Sequence, residues 1–588
     1  MNQRITAAHA KARAHLLSQQ ASPAHWEGKL SSSALSTATA IVALHLVDAI
    51  RHAESIRLGV KWLVTHQNRD GGWGDTAISK SNLSTTLLCW SALRLCGLEG
   101  GEAPLVRQSR ALAEAWIEGR VGSLEPDALQ QAVMARYGRD KTFSVPILML
   151  CAIGGTLGEA AWRRVLPLPF ELAAFPRSWF GALGLPVVSY ALPALIAIGY
   201  ARFAHAPPAR WNPLRWARAL LWECISPMLL TLQPSSGGYL EATPLTSFVT
   251  MALASAGERF HPCVPGAVEF LCRSMRPDGS WPIDTNLATW GTTLSVKALG
   301  EIRPEITEWL LRQQYQQRHP FTHAAPGGWA WTDLPGGVPD ADDTSGAVIA
   351  LRYAGMGAKK AAEQGMIWLL QLQNRDGGIP TFCRGWGTLP FDRSTPEITA
   401  HALLAWWTWL PQTDPEPAFL QATQRALAYL QRVQHQEGSW SPLWFGNEHT
   451  PQEENPVYGT AMVVSYLTGQ PCLHELARDL IERGAQYLRK RQRPDGAFGG
   501  DAEVPASVEE TAVAAYALMS LSDPEMQQSG LRAVNWLLSA TQDGTTFASA
   551  PIGLYFARLW YHERLYPMVW TVQALRRACE ITAHSSQS

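Results

Sequence analysis

A chain of 588 residues has room for several domains, each with its own core. A net charge of −1, with only 17% charged residues, excludes electrostatic steering toward nucleic acid. Nine cysteines, an odd count without paired short spacings, exclude a disulfide framework or zinc ribbon and point to a reducing, intracellular setting. The first nine residues lack the apolar run of a signal peptide. The 25 tryptophans exceed what a core needs, so they belong to repeated packing units or to an aromatic-lined cavity.

Self-similarity begins early. Gln20 with Trp26 is a divergent first copy, and the pattern is full in Gln67-Asn68-Arg69-Asp70-Gly71-Gly72-Trp73. It returns in Arg276 to Trp281 without the leading Gln, in Gln373 to Ile379, in Gln434 to Trp440, in Gln492 to Phe498, and in Gln542-Asp543-Gly544 with Phe547. Consecutive clear copies lie roughly fifty residues apart, the range of repeat architectures. Each follows an amphipathic run, as at Ala426–Leu430, and precedes another, as at Ala461–Leu467, with Asp-Gly ending the first helix. The unit is helix, turn, helix, and the Gln and aromatic are expected to cap and stack between neighbouring helices.

Strand alternation is scarce, so the expected fold is all-α: two α/α barrels built from these repeats. Residues 20–285 form one expected barrel, and 1–19 with 286–588 the other. Within the first, Ser178 to Ala201 carries no charge and is long enough to span a bilayer. Pro186 and Pro193 interrupt it, which favours a buried barrel helix. Trp211 to Trp222 then spaces Trp and Arg as a helix lying in a membrane interface would, or as one packed on its own domain.

The stretch Pro339-Asp340-Ala341-Asp342-Asp343-Thr344 places three carboxylates in four positions between aromatic and aliphatic runs. They cannot all ionise without strong repulsion, so at least one should keep its proton and the group should titrate as a unit. The spacing lacks the oxygen ligands of a calcium loop. A protonated carboxyl beside apolar walls can donate to a weak base. Further on, Glu397 and His401 stand four residues apart, on one helix face where they can meet.

Together these motifs resemble the squalene-hopene cyclase family of class II terpene cyclases, over nearly the whole chain from Gln20 to about Leu575. Asp340, Asp342, Asp343 and Thr344 match the family's acid motif, and the Gln-Trp repeats match its hallmark. The resemblance implies cyclisation of a linear isoprenoid, squalene or similar, started by protonating a terminal alkene. Asp342 would be the proton donor, with Asp340 and Asp343 tuning it. The triple set favours an alkene over an epoxide, since an alkene is the weaker base and needs the stronger, drier acid. His401 would hydrogen-bond Asp342, and Glu397, where the family has Asp, would keep the imidazole cationic. Trp290, Trp331, Phe382, Trp444 and Tyr458 match positions whose π-faces would stabilise the moving cation. Tyr555 and Trp560 belong to a C-terminal aromatic wall that is only partly kept, with Arg558 and His562 intruding.

Other departures concern the end of the reaction. Glu448 to Asn455 is an extra stretch, the loop from Cys383 to Pro396 is short, and Leu30 to Thr37 lacks the acidic pair of hopene-forming members. Initiation thus reads as intact, while termination and product stay open. The resemblance further implies no cofactor and no metal, a membrane surface as partner, and peripheral attachment to the inner face of the membrane from the cytoplasm. It leaves room for a homodimer. Alternatives are a non-catalytic isoprenoid or lipid binder on the same barrel and a zinc-dependent protein prenyltransferase. For the latter no ligand trio is evident, since Cys383 and Cys472 lack the context.

Overall fold

The computed structural model describes residues 2–97, 103–138, 140–175, 179, 188–320, 322–384, 391–411, 416–553 and 558–585. The chain is mostly helical and divides into two units. One comprises Met1–Lys29, Asn286–Asp333 and Val338–Ser588; the other comprises Leu30–Thr285 and Leu334–Gly337. The first crossing therefore falls ten residues later than expected from sequence. Residues 20–29 stay with the first unit because Trp26 donates from its ring to Leu16 O (2.8 Å) and from its backbone to Thr292 Oγ1 (3.0 Å).

In the first unit, six helices contact one another in a closed ring: Ala288–Leu299, Ala341–Leu351, Pro396–Trp409, Pro456–Leu467, Val508–Met519 and Leu565–Ser585. Members of this ring are buried nearly all round; every residue of Ala288–Leu299 is buried. Outside lie amphipathic helices such as Arg478–Arg491, which bury one stripe: Leu480, Ile481, Gly484, Ala485, Tyr487 and Leu488. A ring of buried helices sheathed by amphipathic ones is an α/α barrel. The second unit repeats the plan, with Ala34–Asp48, Leu83–Leu95, Lys141–Ile153, Val188–His205 and Thr243–Ser255 as its inner helices. Among the described residues the strands are two-residue pairs, Ser32–Ser33 with Trp281–Pro282 and Ile379–Pro380 with Ser394–Thr395.

The repeats act as staples. Gln373 Nε2 donates to Gly377 O in its own turn (2.8 Å) and to Ala422 O on the next outer helix (2.9 Å). Gln67, Gln434 and Gln492 do the same. The Trp rings donate to the carbonyl of the preceding helix, as Trp440 does to Leu430 O (2.9 Å). The aromatic's backbone N–H is taken by a Thr of the following inner helix, Thr460 for Trp440 (3.0 Å) and Thr344 for Trp329 (3.0 Å). Two further copies show the same bonds: Gln233 with Tyr239, and Gln314 with Trp329.

The turn glycine is obligatory in this staple. Gly377 has φ +92°, and a Cβ there would stand 2.2 Å from Arg425 O. Gly377→Ala combines left-handed strain with a backbone clash and is expected to destabilise the fold by about 3 kcal/mol or more, read as a lowered denaturation midpoint.

The described part of the uncharged segment, Val188–His205, is an inner barrel helix with Leu192, Ile196, Ala197 and Ile198 buried; residues 180–187 lie outside the described residues. No helix among the described residues is long and apolar enough to cross a membrane. Helix Pro213–Thr231 packs one face on its domain: Trp222 stacks on Tyr200 at 3.5 Å and Arg218 pairs with Glu171 at 2.9 Å. Its other face leaves Trp216 65% and Leu220 74% exposed, and Trp211 just before it is 86% exposed.

Candidate active site

The acid stretch starts an inner helix of the first unit. Asp340 is the N-cap of Ala341–Leu351, its Oδ1 accepting from Asp343 N (2.9 Å), while its backbone N–H donates to Trp329 O (2.9 Å). Thr344 serves the staple on Trp329 and also donates to Asp340 O (2.6 Å). The motif is thus partly architecture, and this architecture fixes where the three carboxyls point. Asp340 and Asp343 are buried, their carboxyls facing each other closely enough to share a proton. Asp342 differs, with its side chain 22% exposed. Burial first, then the neighbouring carboxylates, pushes Asp340 up to about 8 and Asp343 well above its ordinary value.

Asp342 meets His401 across the helix pair: His401 Nδ1 lies 2.5 Å from Asp342 Oδ1. The imidazole is fully buried, stacked on Tyr466 (4.2 Å between centroids, 10° between planes) and edge-on to Trp290 (6.5 Å). Its other nitrogen, Nε2, faces Lys297 Nζ at 3.2 Å. Burial and then the charge of Lys297 push His401 down to about 4. A cationic imidazole is what the sequence leads one to expect; burial, and after it the Lys297 ammonium behind the ring, instead disfavour the charged form.

Glu397 does not supply the carboxylate beside His401. It is buried in the first turn of Pro396–Trp409 and turns instead to the next loop, where its Oε1 accepts from Leu443 N (2.9 Å). Burial lifts it to about 7. Spacing of four allowed the contact with His401; the N–H of Leu443 takes the carboxylate instead.

The aromatic residues fall into two groups. Trp331, Phe382 and Trp444 form a chain with centroid distances of 6.2 and 5.9 Å, both edge-on, and Trp444 Nε1 is anchored on Thr381 Oγ1 (2.8 Å). Trp290 donates to Tyr566 OH (3.1 Å), and Tyr566 stacks on Trp570 (5.0 Å), which also meets Tyr458 (5.8 Å). Trp560 is buried. Tyr555 lies outside the described residues. The extra stretch after Trp444 is tied down by Asn447 and Asn455, both donating to the buried Glu510 Oε1 (2.9 and 3.0 Å).

Lys297, Tyr466, Tyr566 and Trp570 join the site without having been singled out in the sequence. Lys297 had one signal: it is the sole charged residue between Asp284 and Glu301. Such a residue within an apolar and hydroxyl run is either a solvated face or a buried group with a partner.

The raised carboxyls make stability pH-dependent. Asp340 and Glu509 are pushed to about 8 and Glu397 and Glu563 to about 7 by burial, so the folded protein holds protons that the unfolded chain has released. Stability from a raised carboxyl is complete below its unfolded value and is lost as pH climbs through the folded one. His401, depressed from 6.5 to about 4, acts oppositely but only below 6.5. The melting temperature is therefore expected to fall as pH rises from about 6.5 to about 8, above which Lys297, lowered to about 8, acts in the opposite sense. A flat or rising profile in differential scanning fluorimetry would contradict this.

Known proteins resemble this chain over most of its length. Residues 284–579 match the squalene-hopene cyclase C-terminal domain, and residues 9–150 match the N-terminal domain. A terpene cyclase–glycosyl transferase fusion protein of Humicola fuscoatra is 26% identical over 90% of this chain, which spans about half (46%) of that longer protein. A probable squalene–hopene cyclase of Sinorhizobium fredii is 24% identical over 95% of both chains. Among solved structures, ent-copalyl diphosphate synthase from Streptomyces platensis shares the fold with a TM-score of 0.58 at 19% identity, covering 97% of this chain and 98% of that one. From matched domains over most of its length, the chain belongs to the squalene-hopene cyclase family, within the class II terpene cyclases.

Proposed function

We propose that this protein cyclises a linear isoprenoid, squalene or a similar polyene, by protonating its terminal alkene from Asp342. The observation that carries this reading is the contrast within the acid stretch: Asp340 and Asp343 are buried, whereas Asp342 is partly open and held through one oxygen by His401. One oxygen is then fixed while the other can carry the proton. In the proposed step the Asp342 O–H bond breaks as the alkene π pair forms a C–H bond, leaving a tertiary cation and a carboxylate. The hydrogen bond to His401 strengthens as that carboxylate appears, which favours the transition state over the resting acid. Trp290, Trp331, Phe382, Trp444, Tyr458 and Trp560 offer π-faces along the cation's path, which stabilise charge without trapping it. Asp340 and Asp343, kept largely protonated, limit the negative field that would otherwise hold the proton on Asp342.

Access to so apolar a substrate is supported by the exposed Trp211, Trp216 and Leu220, arranged as an interfacial helix face would be. The protein in this reading sits peripherally on the inner membrane surface. Trp211→Ser with Trp216→Ser is expected to lower co-sedimentation with anionic liposomes several-fold; undiminished binding would place the membrane contact elsewhere. Function is tested by incubating the purified protein with squalene and with shorter polyprenols, then identifying products by gas chromatography and mass spectrometry. Cyclised hydrocarbon or alcohol supports the proposal. Retention of every polyene unchanged would leave a lipid-binding barrel.

A further inference from the structure

Lys297 is a residue that initiation by Asp342 does not by itself require, yet it is engaged with the acid's hydrogen-bond partner, His401. Its ammonium is buried 3.2 Å from His401 Nε2 and lies over the Tyr466 ring at 5.4 Å. A lysine ammonium has three donors and no acceptor, so at this contact Nε2 accepts. A ring that accepts at Nε2 and is neutral carries its proton on Nδ1, where it faces Asp342 Oδ1 at 2.5 Å. With Lys297 as an ammonium and the ring neutral, the chain runs Nζ–H to Nε2 and Nδ1–H to Oδ1.

We propose that Lys297 is the positioning residue of the acid. It holds His401 in the Nδ1–H tautomer and supplies, through the neutral ring, the positive charge that stabilises the Asp342 carboxylate after proton transfer. This rests on Asp342 being the proton donor. Chains of hydrogen bonds polarise one another, so an ammonium on Nε2 makes Nδ1–H a stronger donor than a free imidazole offers. Burial lowers Lys297 to about 8 and, with the neighbouring ammonium, His401 further still to about 4, which favours the charge on lysine rather than on the ring. The ring is spared a charge of its own, and Lys297 as an ammonium has no lone pair to capture the substrate cation. The groups around Lys297 are consistent with a retained charge. Asp342 favours it once it has given up its proton, while Asp343, held protonated by burial, faces it as a neutral group, as do His401 and Tyr466. Arg576 on Leu565–Ser585 spends a donor on the Lys297 carbonyl (3.2 Å).

Two readouts separate this role from mere packing. Lys297→Met keeps the length and removes the charge; it is expected to lower kcat about 100-fold at neutral pH with KM within about 2-fold, the size of losing one preorganised donor. Freed of its neighbour's charge, His401 should then take up a proton itself at mildly acidic pH. The loss should shrink to about 10-fold near pH 5. A purely structural role predicts a loss independent of pH, and that outcome overturns the proposal. Long-range 15N–1H spectra of protein with 15N-labelled histidine assign the tautomer directly in the unmutated protein, with His401→Phe identifying the resonance. The proposal requires a neutral Nδ1–H ring at pH 7; an Nε2–H ring or an imidazolium refutes it. Because the spectra need no turnover, an inactive wild-type protein would refute the cyclase reading while the tautomer still decides the role of Lys297.

Discussion

Asp342→Asn is expected to leave a folded protein that forms no cyclic product. Asn has the same shape, and its Oδ1 can still accept from His401 Nδ1, so the 2.5 Å contact needs no rearrangement. What disappears is the only O–H in that position. An alkene is so weak a base that water cannot replace a fixed acid, and product formation should fall by at least about 10⁴-fold, the upper range for a general acid. Asp340→Asn is the informative control. Asp340 caps the helix through Oδ1, which Asn also does, so the helix start survives and the change reaches the reaction only through the neighbouring charge. Its loss should be smaller, about 10- to 100-fold. Far-UV circular dichroism establishes the fold and single-turnover product analysis the activity. If Asp342→Asn turned over at the original rate, the proton would have to come from another group.

Much of the architecture could be read from sequence because the staple is chemically narrow. Gln must reach two carbonyls, Gly377 and its equivalents must adopt positive φ, and the Trp ring must donate to the preceding helix. Only a few residues can do each, at one spacing. Two copies escaped for the converse reason. Gln233 to Tyr239 keeps the spacing but has Tyr for Trp and no Asp-Gly, and between Gln314 and Gly327 the turn is lengthened. The acid stretch was equally legible, since three carboxylates in four positions can be reconciled with burial only if protons are retained.

Side-chain pairing across the ring was not legible. Glu397 and His401 lie on one helix face, yet Glu397 bonds Leu443 N because the loop brings that N–H within reach, a contact 46 residues away in sequence. Lys297 and His401 are separated by 104 residues and meet only when the ring closes. Local periodicity says that Lys297 is on a helix. It does not say that the helix is buried on every side, which is what turns a surface cation into part of a site.

His401→Phe should then produce the second-largest loss. Phenylalanine preserves the stack on Tyr466 and the edge contact with Trp290, so packing is largely kept, but both hydrogen bonds end. Asp342 loses its donor, and Lys297 is left with an ammonium facing a ring edge. Removing a charge-assisted donor from a developing carboxylate predicts a fall in kcat of about 10²- to 10³-fold, with substrate retention changed far less. Because in this reading Lys297 acts on Asp342 mainly through the imidazole, the two losses should not multiply. Lys297→Met added to His401→Phe should cost under about 3-fold more, where independent groups would each contribute in full. Full multiplication would mean that Lys297 reaches the acid directly, by its field alone. In that case His401 and Lys297 would stabilise the carboxylate separately, and the order of donors along the chain would have no bearing on the rate.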